Sequence, residues 1–143
     1  MIDLKEILSG APLHIVIKAR ESFPEYTPGQ DIDIVCDNIT DMTVYLMDKS
    51  DCCTGLAVFP GKNSQHVDYY LNGNLEIRFD LYQQIISPKF TEHLWIYKKS
   101  NGVTFVPISY FDDIIKCWEW KHNRKKKYRK YRKYKTYLEF YED

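Results

Sequence analysis

The sequence lacks the features that mark membrane, secreted and zinc-binding proteins. No apolar run approaches the ~20 residues of a membrane-spanning helix, so we expect no transmembrane segment. The opening stretch MIDLKEILSG does not have the basic-then-apolar order of a signal peptide, and we therefore expect a cytoplasmic protein. The four cysteines show no C-x-x-C spacing, which favours reduced thiols over a structural zinc site.

Net charge is also missing, because 20 Lys and Arg balance 20 Asp and Glu, but the balance is uneven along the chain. Residues 121–135 hold ten of the basic residues and no acidic one, so ten basic and twenty acidic residues remain elsewhere, a charge near −10. The length of 143 residues suits one domain. We predict a globular domain over residues 1–120 and a basic C-terminal helix over 121–143 that packs on it.

The basic segment interleaves its cations with regularly spaced tyrosines, at positions 128, 131, 134 and 137. Cations alternating with aromatic rings are typical of nucleic-acid binding, so residues 121–135 suggest a polyanion as partner. On a helix over 124–141 the tyrosines would instead form one stripe that packs on the domain. A membrane surface or a partner protein is a third alternative. We favour packing, because Leu138 and Phe140 extend the apolar character beyond the tyrosines.

Hydrophobic periodicity predicts alternating helices and strands. Helices are predicted over 2–9, over 39–49 with Asp37 or Asn38 as N-cap, and over 110–121 with Ser109 as cap. Strands are predicted over 13–19 and 31–36, with a proline-containing loop over 21–30 between them. Residues 93–108 allow a second hairpin that turns at Asn101-Gly102, or a helix over its first arm.

Residues 65–82 predict a β-hairpin with one apolar and one polar face. We expect a three-residue loop, Asn72-Gly73-Asn74, because it places Leu71 opposite Leu75 and pairs apolar residues with each other. The predicted buried face is Val67, Tyr69, Leu71, Leu75, Ile77 and Phe79. The predicted polar face is His66, Asp68, Tyr70, Glu76, Arg78 and Asp80.

Two carboxylates on the predicted strand 31–36 indicate a metal site. Asp31 and Asp33 lie at i and i+2, so both project from one face, roughly 6–7 Å apart. Such a pair repels itself unless it binds a hard cation, and Mg²⁺ takes carboxylate oxygens together with nucleotide phosphates. A third carboxylate from a neighbouring strand would complete a two-metal site for phosphoryl transfer. We choose Asp80 as that ligand and hold Asp68 in reserve.

The stretch LHIVIKARESFPEYTPGQDIDIVC, followed by HVDYY and LEIRFDLY, resembles the nucleotidyltransferase-fold proteins found among polysaccharide-biosynthesis genes. Those proteins are similar to the larger DNA polymerase β-like superfamily. The shared pattern is a strand, a basic residue with a proline-containing loop, a D-I-D strand and a later acidic strand. A Val-Pro, here Val106-Pro107, then opens a helical C-terminal segment. The resemblance covers most of residues 12–120.

The resemblance implies an α/β (α+β) fold, with a mixed β-sheet flanked by helices and further helices at the C-terminus. It also implies transfer of a nucleotidyl group from a nucleoside triphosphate to a small acceptor, dependent on Mg²⁺ or Mn²⁺. The polysaccharide genes suggest a sugar phosphate as acceptor. By position, Asp31 and Asp33 match the paired metal ligands and Asp80 matches the third.

One departure from the family pattern bears on activity. Superfamily members that perform the transfer usually carry Gly-Ser or Gly-Gly after the first strand to hold phosphates, whereas this chain has KARES over 18–22. Lys18, Arg20 and Ser22 are the candidates to bind phosphate instead. Two alternatives follow. One is a catalytically silent module of this fold that holds a polyanion or partner protein, and the other is a toxin–antitoxin-type nucleotidyltransferase.

Overall fold

Five strands form one sheet in the computed structural model, which describes residues 1–102 and 110–142. In chain order they are β1 (His14–Ile17), β2 (Gln30–Cys36), β3 (Gly55–Pro60), β4 (Ser64–Leu71) and β5 (Asn74–Tyr82). Their order across the sheet is β1-β2-β5-β4-β3. The β2–β5 pair is parallel and the other three pairs are antiparallel, so the sheet is mixed.

Within the described residues, five α-helices accompany the sheet. They are α1 (Leu4–Ser9), α2 (Ile39–Asp48), α3 (Pro88–Asn101), α4 (Tyr110–Asn123) and α5 (Lys135–Glu142). Two stretches form 3₁₀-helix: a short turn over Ser50–Cys52, and Lys126–Tyr134, which we call the C-terminal 3₁₀ segment. The predicted fold class, a mixed sheet with flanking and C-terminal helices, is confirmed. Among the described helices, none has the length and apolar character needed to cross a membrane.

The sheet separates two hydrophobic cores. Successive side chains of β2 alternate between its two faces, as predicted, so the strand contributes to both cores. Ile32, Ile34 and Cys36 face the core that the sheet shares with α1 and α2. Val35 lies on the other face, together with Ile15 and Ile17 of β1, where α3, α4 and α5 pack. Asp31 and Asp33 project on the same side as Val35, where Asp31 is exposed and the Asp33 side chain is 16% exposed.

Capping residues explain where the helices begin and end. Asp3, Asn38 and Ser87 each accept a hydrogen bond from the backbone N–H three residues later, at the starts of α1, α2 and α3. Pro88 follows in the first turn of α3, where it lacks only an N–H that the helix does not use. Gly102 ends α3 with a left-handed φ of 61°.

Helix α3 decides between the two alternatives for residues 93–108. The first arm is helical and the predicted second hairpin is wrong, because Asn101 belongs to α3 and Gly102 is its C-cap rather than a turn between strands. The predicted Val106-Pro107 and the Ser109 cap lie outside the described residues. Helix α4 begins at Tyr110 and contains the predicted helix.

The predicted hairpin is formed by β4 and β5, but its loop is one residue shorter than predicted. Leu71 pairs with Asn74 rather than with Leu75. Asn72 and Gly73 alone form the turn, with φ values of 52° and 84°. Two consecutive positive φ angles are the conformation that Asn-Gly favours in a two-residue hairpin turn.

A bulge compensates for the shorter loop. Tyr70 pairs with Leu75 whereas Tyr69 pairs with Ile77, which leaves Glu76 as an extra residue on β5. Beyond the bulge, the pairs are the ones that the three-residue loop predicted. The buried face is confirmed there, because four of its predicted members are fully buried: Val67, Tyr69, Ile77 and Phe79.

The C-terminal region is not the continuous helix predicted over 124–141. Helix α4 ends at Asn123, Arg124 follows with a φ of 52°, and the C-terminal 3₁₀ segment then leads to α5. Leu138 and Tyr141 of α5 are buried in the core on the α3 and α4 side of the sheet. The end of the chain therefore contributes apolar side chains to the core.

Replacement of Leu138 by alanine is expected to lower the free energy of unfolding by about 3 kcal/mol, because a fully buried side chain leaves a cavity. Leu13→Ala is the matched control, since Leu13 is 55% exposed and its loss should cost less than about 0.5 kcal/mol. Urea denaturation measures both variants. A loss at Leu138 no larger than at Leu13 would show that α5 does not stabilise the fold.

Candidate functional site

The parallel pairing of β2 with β5 brings three carboxylates together on one face of the sheet. Asp33 and Asp80 are directly paired neighbours, and Asp31 is paired with Arg78, two residues earlier on each strand. Paired residues on adjacent strands project to the same side. The Asp33 and Asp80 side chains are 16% and 22% exposed, and Asp31 is open to solvent.

These carboxylates line an open cavity of about 640 Å³, which we call the carboxylate cavity. Tyr82 of β5 and Glu119 of α4 lie beside them in the lining. The remaining side chains are mainly basic or aromatic: Lys18, Arg20, Lys116, Lys125, Lys127, Tyr128, Lys130 and Tyr131. The cavity therefore joins an acidic surface on the sheet to a basic surface supplied largely by the C-terminal segment.

Lys18 connects the sheet to α4 at the edge of this cavity. Its backbone has a left-handed φ of 52°, and its N–H donates to the Asp112 Oδ1 at 2.9 Å. Its ammonium group lies 3.4 Å from Asp33 Oδ2 and donates to Glu119 Oε1. Burial disfavours the charged ammonium, but the two carboxylates outweigh it and raise the pKa of Lys18.

The neighbouring carboxyl groups hold their protons more tightly than free aspartates do. Burial raises the pKa of Asp33, and Lys18 opposes that shift. Burial, followed by the charges of Asp33 and Asp31, raises the pKa of Asp80 to about 7. The Tyr82 hydroxyl donates to Asp33 Oδ1 at 3.3 Å. Repulsion among the carboxylates is thus only partly relieved by the protein's own cations.

Asp68, the reserve ligand, is held apart from these three residues. Its carboxylate is fully buried and accepts two hydrogen bonds of 2.9 Å from the Arg78 guanidinium. A bidentate pair of this kind uses both carboxylate oxygens. Asp68 therefore holds the side chain of Arg78 in place. His66, also on this face, lies with its Nδ1 3.6 Å from Asp80 Oδ1.

The predicted phosphate-binding residues are divided by the structure. Lys18 and Arg20 line the carboxylate cavity. Ser22 is exposed in a turn, where its carbonyl accepts a hydrogen bond from the Glu25 N–H, and it lies outside the cavity lining. Two of the three candidates are thus brought to the site.

Sequence reasoning missed Asp112 and Glu119, two buried carboxyl groups of α4 that hold Lys18. Burial raises the pKa of Asp112 to about 6, and its Oδ2 has no hydrogen-bond partner among the described residues. One signal was present in the sequence: both residues share a helix face with Ile115, at spacings of three and four. A carboxylate in an apolar stripe indicates a buried partner.

The residues present offer suitable oxygen donors for a divalent cation, but they do not form a complete coordination shell. Among the described residues, no group of three or more His, Cys, Asp or Glu side chains is arranged to hold a metal ion. Mg²⁺, however, is usually bound by one or two carboxylates together with substrate phosphates. Asp33 and Asp80 supply two adjacent hard oxygen donors of that kind, with Asp31 close by.

Comparison with known proteins adds no assignment: no family model, no curated protein and no solved structure matches this chain.

Replacement of Asp80 by asparagine is expected to stabilise the metal-free protein at alkaline pH. With a raised native pKa, wild-type Asp80 favours the native state fully below about pH 4 and loses that contribution as the pH rises through about 7. The gain from Asp80→Asn should therefore grow by about 2 kcal/mol between about pH 5 and about pH 8. Urea denaturation in EDTA at the two pH values measures it.

The same substitution at Asp68 is the matched control. Asp68→Asn breaks a buried bidentate pair and should cost about 2 kcal/mol at both pH values. A gain for Asp80→Asn that is independent of pH would contradict the assigned charge repulsion.

Proposed function

We propose that this protein is a metal-dependent nucleotidyltransferase that acts in the cytoplasm, a location in keeping with its four free cysteines. The observation that carries the proposal is the pairing of Asp33 with Asp80 on parallel strands, in a cavity whose lining also holds six cationic side chains. Carboxylates bind a divalent cation, and lysines and arginines bind phosphate. Together they suit a nucleoside triphosphate with its bound Mg²⁺ or Mn²⁺.

In this proposal Asp33 and Asp80 hold the cation, with Asp31 as a further ligand. When bound, the cation neutralises charge on the phosphates and on the attacking oxygen. Lys18, Arg20, and the lysines of the C-terminal segment that line the cavity bind the phosphate oxygens. An acceptor oxygen attacks the α-phosphorus, the bond to the bridging oxygen breaks, and pyrophosphate leaves.

Lys18 stands where the resembled family usually has glycine. The family uses a Gly-containing turn after the first strand, and here Lys18 follows β1 with a left-handed φ of 52° that glycine adopts more easily. The bond from its N–H to Asp112 supports this conformation. In this proposal the left-handed backbone at Lys18 serves as that turn, with a charged side chain in place of a small one.

A second cavity, of about 830 Å³, supports a polar acceptor. It adjoins the carboxylate cavity, since Lys18, Tyr82, Glu119 and Lys125 line both. Its other lining residues include several amides and one indole: Asn63, Gln65, Gln83, Gln84, Asn123 and Trp118. Amides and an aromatic ring suit a hydroxyl-rich compound, and Lys62 adds a cation for a phosphate. A sugar phosphate is an acceptor of this class.

A catalytically silent nucleotide-binding module is the second candidate. The ion pair between Lys18 and Asp33 favours it, because the ammonium already neutralises a carboxylate that would otherwise be available to a metal ion. In this alternative the nucleotide binds without a metal requirement, and no pyrophosphate is released.

Mg²⁺ or Mn²⁺ at millimolar concentration, together with a non-hydrolysable nucleoside triphosphate, is expected to raise the melting temperature of the wild-type protein. A ligand of the native state stabilises it by mass action, by about 2.7 kcal/mol at a hundredfold excess over Kd. Asp33→Asn and Asp80→Asn should each abolish the response to the cation. Thermal unfolding with the cation alone, the nucleotide alone and both together makes the measurement.

Asp68→Asn is the control, because Asp68 is bound to Arg78 and should not affect the response. A nucleotide response that is equal in EDTA supports the silent module. A melting temperature that neither the cations nor any nucleotide changes would contradict both candidates.

A further inference from the structure

The C-terminal 3₁₀ segment has a sequence repeat that matches its helical period. Its nine residues read KKY-RKY-RKY. A 3₁₀-helix has three residues per turn, so residues three apart lie directly above one another. Runs of more than three or four residues in this conformation are uncommon. Each position of the repeat therefore forms a straight row along the segment.

The tyrosine row is turned toward α4. Tyr131 and Tyr134 pack on the core that α4 shares with the sheet, and successive tyrosine rings lie 6.0 and 6.4 Å apart. The Lys116 ammonium lies 5.2 Å from the centre of the Tyr131 ring. Asp113 forms a hydrogen bond with the Tyr134 hydroxyl. The rings are used to attach the segment to the domain.

The other two rows consist of cations alone, and all six are exposed: Lys126, Arg129 and Arg132 in one row, and Lys127, Lys130 and Lys133 in the other. Among the described residues, none of the six has a carboxylate within ion-pair distance. Their neighbours Lys121, Lys125 and Lys135 each have one. The rise of 3₁₀-helix repeats a charge about every 6 Å along each row. The ammonium groups of Lys127, Lys130 and Lys133 lie 4.9, 5.3 and 5.4 Å from the centres of the neighbouring tyrosine rings. The segment therefore presents two straight rows of positive charge that the described carboxylates do not neutralise.

We infer that these two rows bind the phosphate backbone of single-stranded nucleic acid, without regard to sequence. A regular row of cations matches a regular row of phosphates, and neutralising phosphates releases counterions. A flexible single strand is able to follow the two rows over a segment of only nine residues. An anionic membrane fits less well, because a surface helix inserts apolar side chains and the rings of this segment face α4.

The two rows differ in their relation to the carboxylate cavity. Lys127 and Lys130 line it, whereas Lys126, Arg129 and Arg132 do not. The row of Lys126, Arg129 and Arg132 therefore provides a test of the surface that leaves the cavity lining intact. The inference is independent of nucleotidyl transfer, since strand binding needs neither the metal nor the nucleotide.

The experiment measures fluorescence anisotropy of a labelled single-stranded RNA of about 12 nucleotides with the full chain in EDTA. Tight binding at low salt is expected. If six phosphates are neutralised, the logarithm of the binding constant should fall with the logarithm of salt concentration with a slope of about −4.

The test variant is the triple substitution Lys126→Gln, Arg129→Gln and Arg132→Gln. It should reduce the slope to about −2 and weaken binding about tenfold or more at low salt. The matched control replaces three exposed lysines elsewhere, Lys5, Lys49 and Lys99, by glutamine. The control should bind as the wild type does. Melting temperatures of both triple variants verify the fold.

If the first variant unfolds, the substitution of Lys127, Lys130 and Lys133 by glutamine tests the other row in the same way. Binding that is insensitive to salt, or that the control weakens as much as the test variant, would overturn the inference. If the protein fails to bind the RNA but sediments with phosphatidylserine vesicles, the inference is also overturned and the surface is assigned to a membrane.

Discussion

The parallel pairing of β2 with β5 is the constraint on which the rest of the structure depends. Parallel neighbours require a long crossover, and residues 37–73 supply it through α2, β3 and β4. The same register sets Asp33 beside Asp80 and builds their repulsion into the native state. A slip of one residue would turn these carboxylates toward the core under α1 and α2, so fold and site are determined together.

Lys18 partly neutralises this repulsion and joins the sheet to the helical layer. This one residue links β1, β2 and α4, because its backbone N–H donates a hydrogen bond to Asp112 and its ammonium group contacts both Asp33 and Glu119. A left-handed backbone at a lysine costs about 1 kcal/mol or more, and these bonds offset it. The lysine is a built-in counterion for the acidic surface, and a metal ion would have to share Asp33 with it.

Most of what could be predicted from the sequence came from the alternation of apolar and polar residues along the strands. It gave the faces of β2, and the hairpin register beyond the bulge, since a slip would expose apolar side chains. The bulge at Glu76 could not be predicted, because a short loop with a bulge and a longer loop give the same distant pairs. Asp112 and Glu119 were missed because their partner Lys18 lies 94 and 101 residues away. Local periodicity places both carboxylates on an apolar helix face, but it does not identify a partner so distant in the sequence.

In the C-terminal 3₁₀ segment the sequence repeats every three residues and the helix turns every three residues. The length of the segment therefore determines which side chains face α4. Loss of one RKY triplet would shorten the charged rows by one step and leave tyrosines against α4. Loss of a single residue would rotate everything after it by a third of a turn, bringing cations to the apolar surface and rings into water. The tyrosine row therefore keeps its register against α4 only when the length of this segment changes by a multiple of three residues.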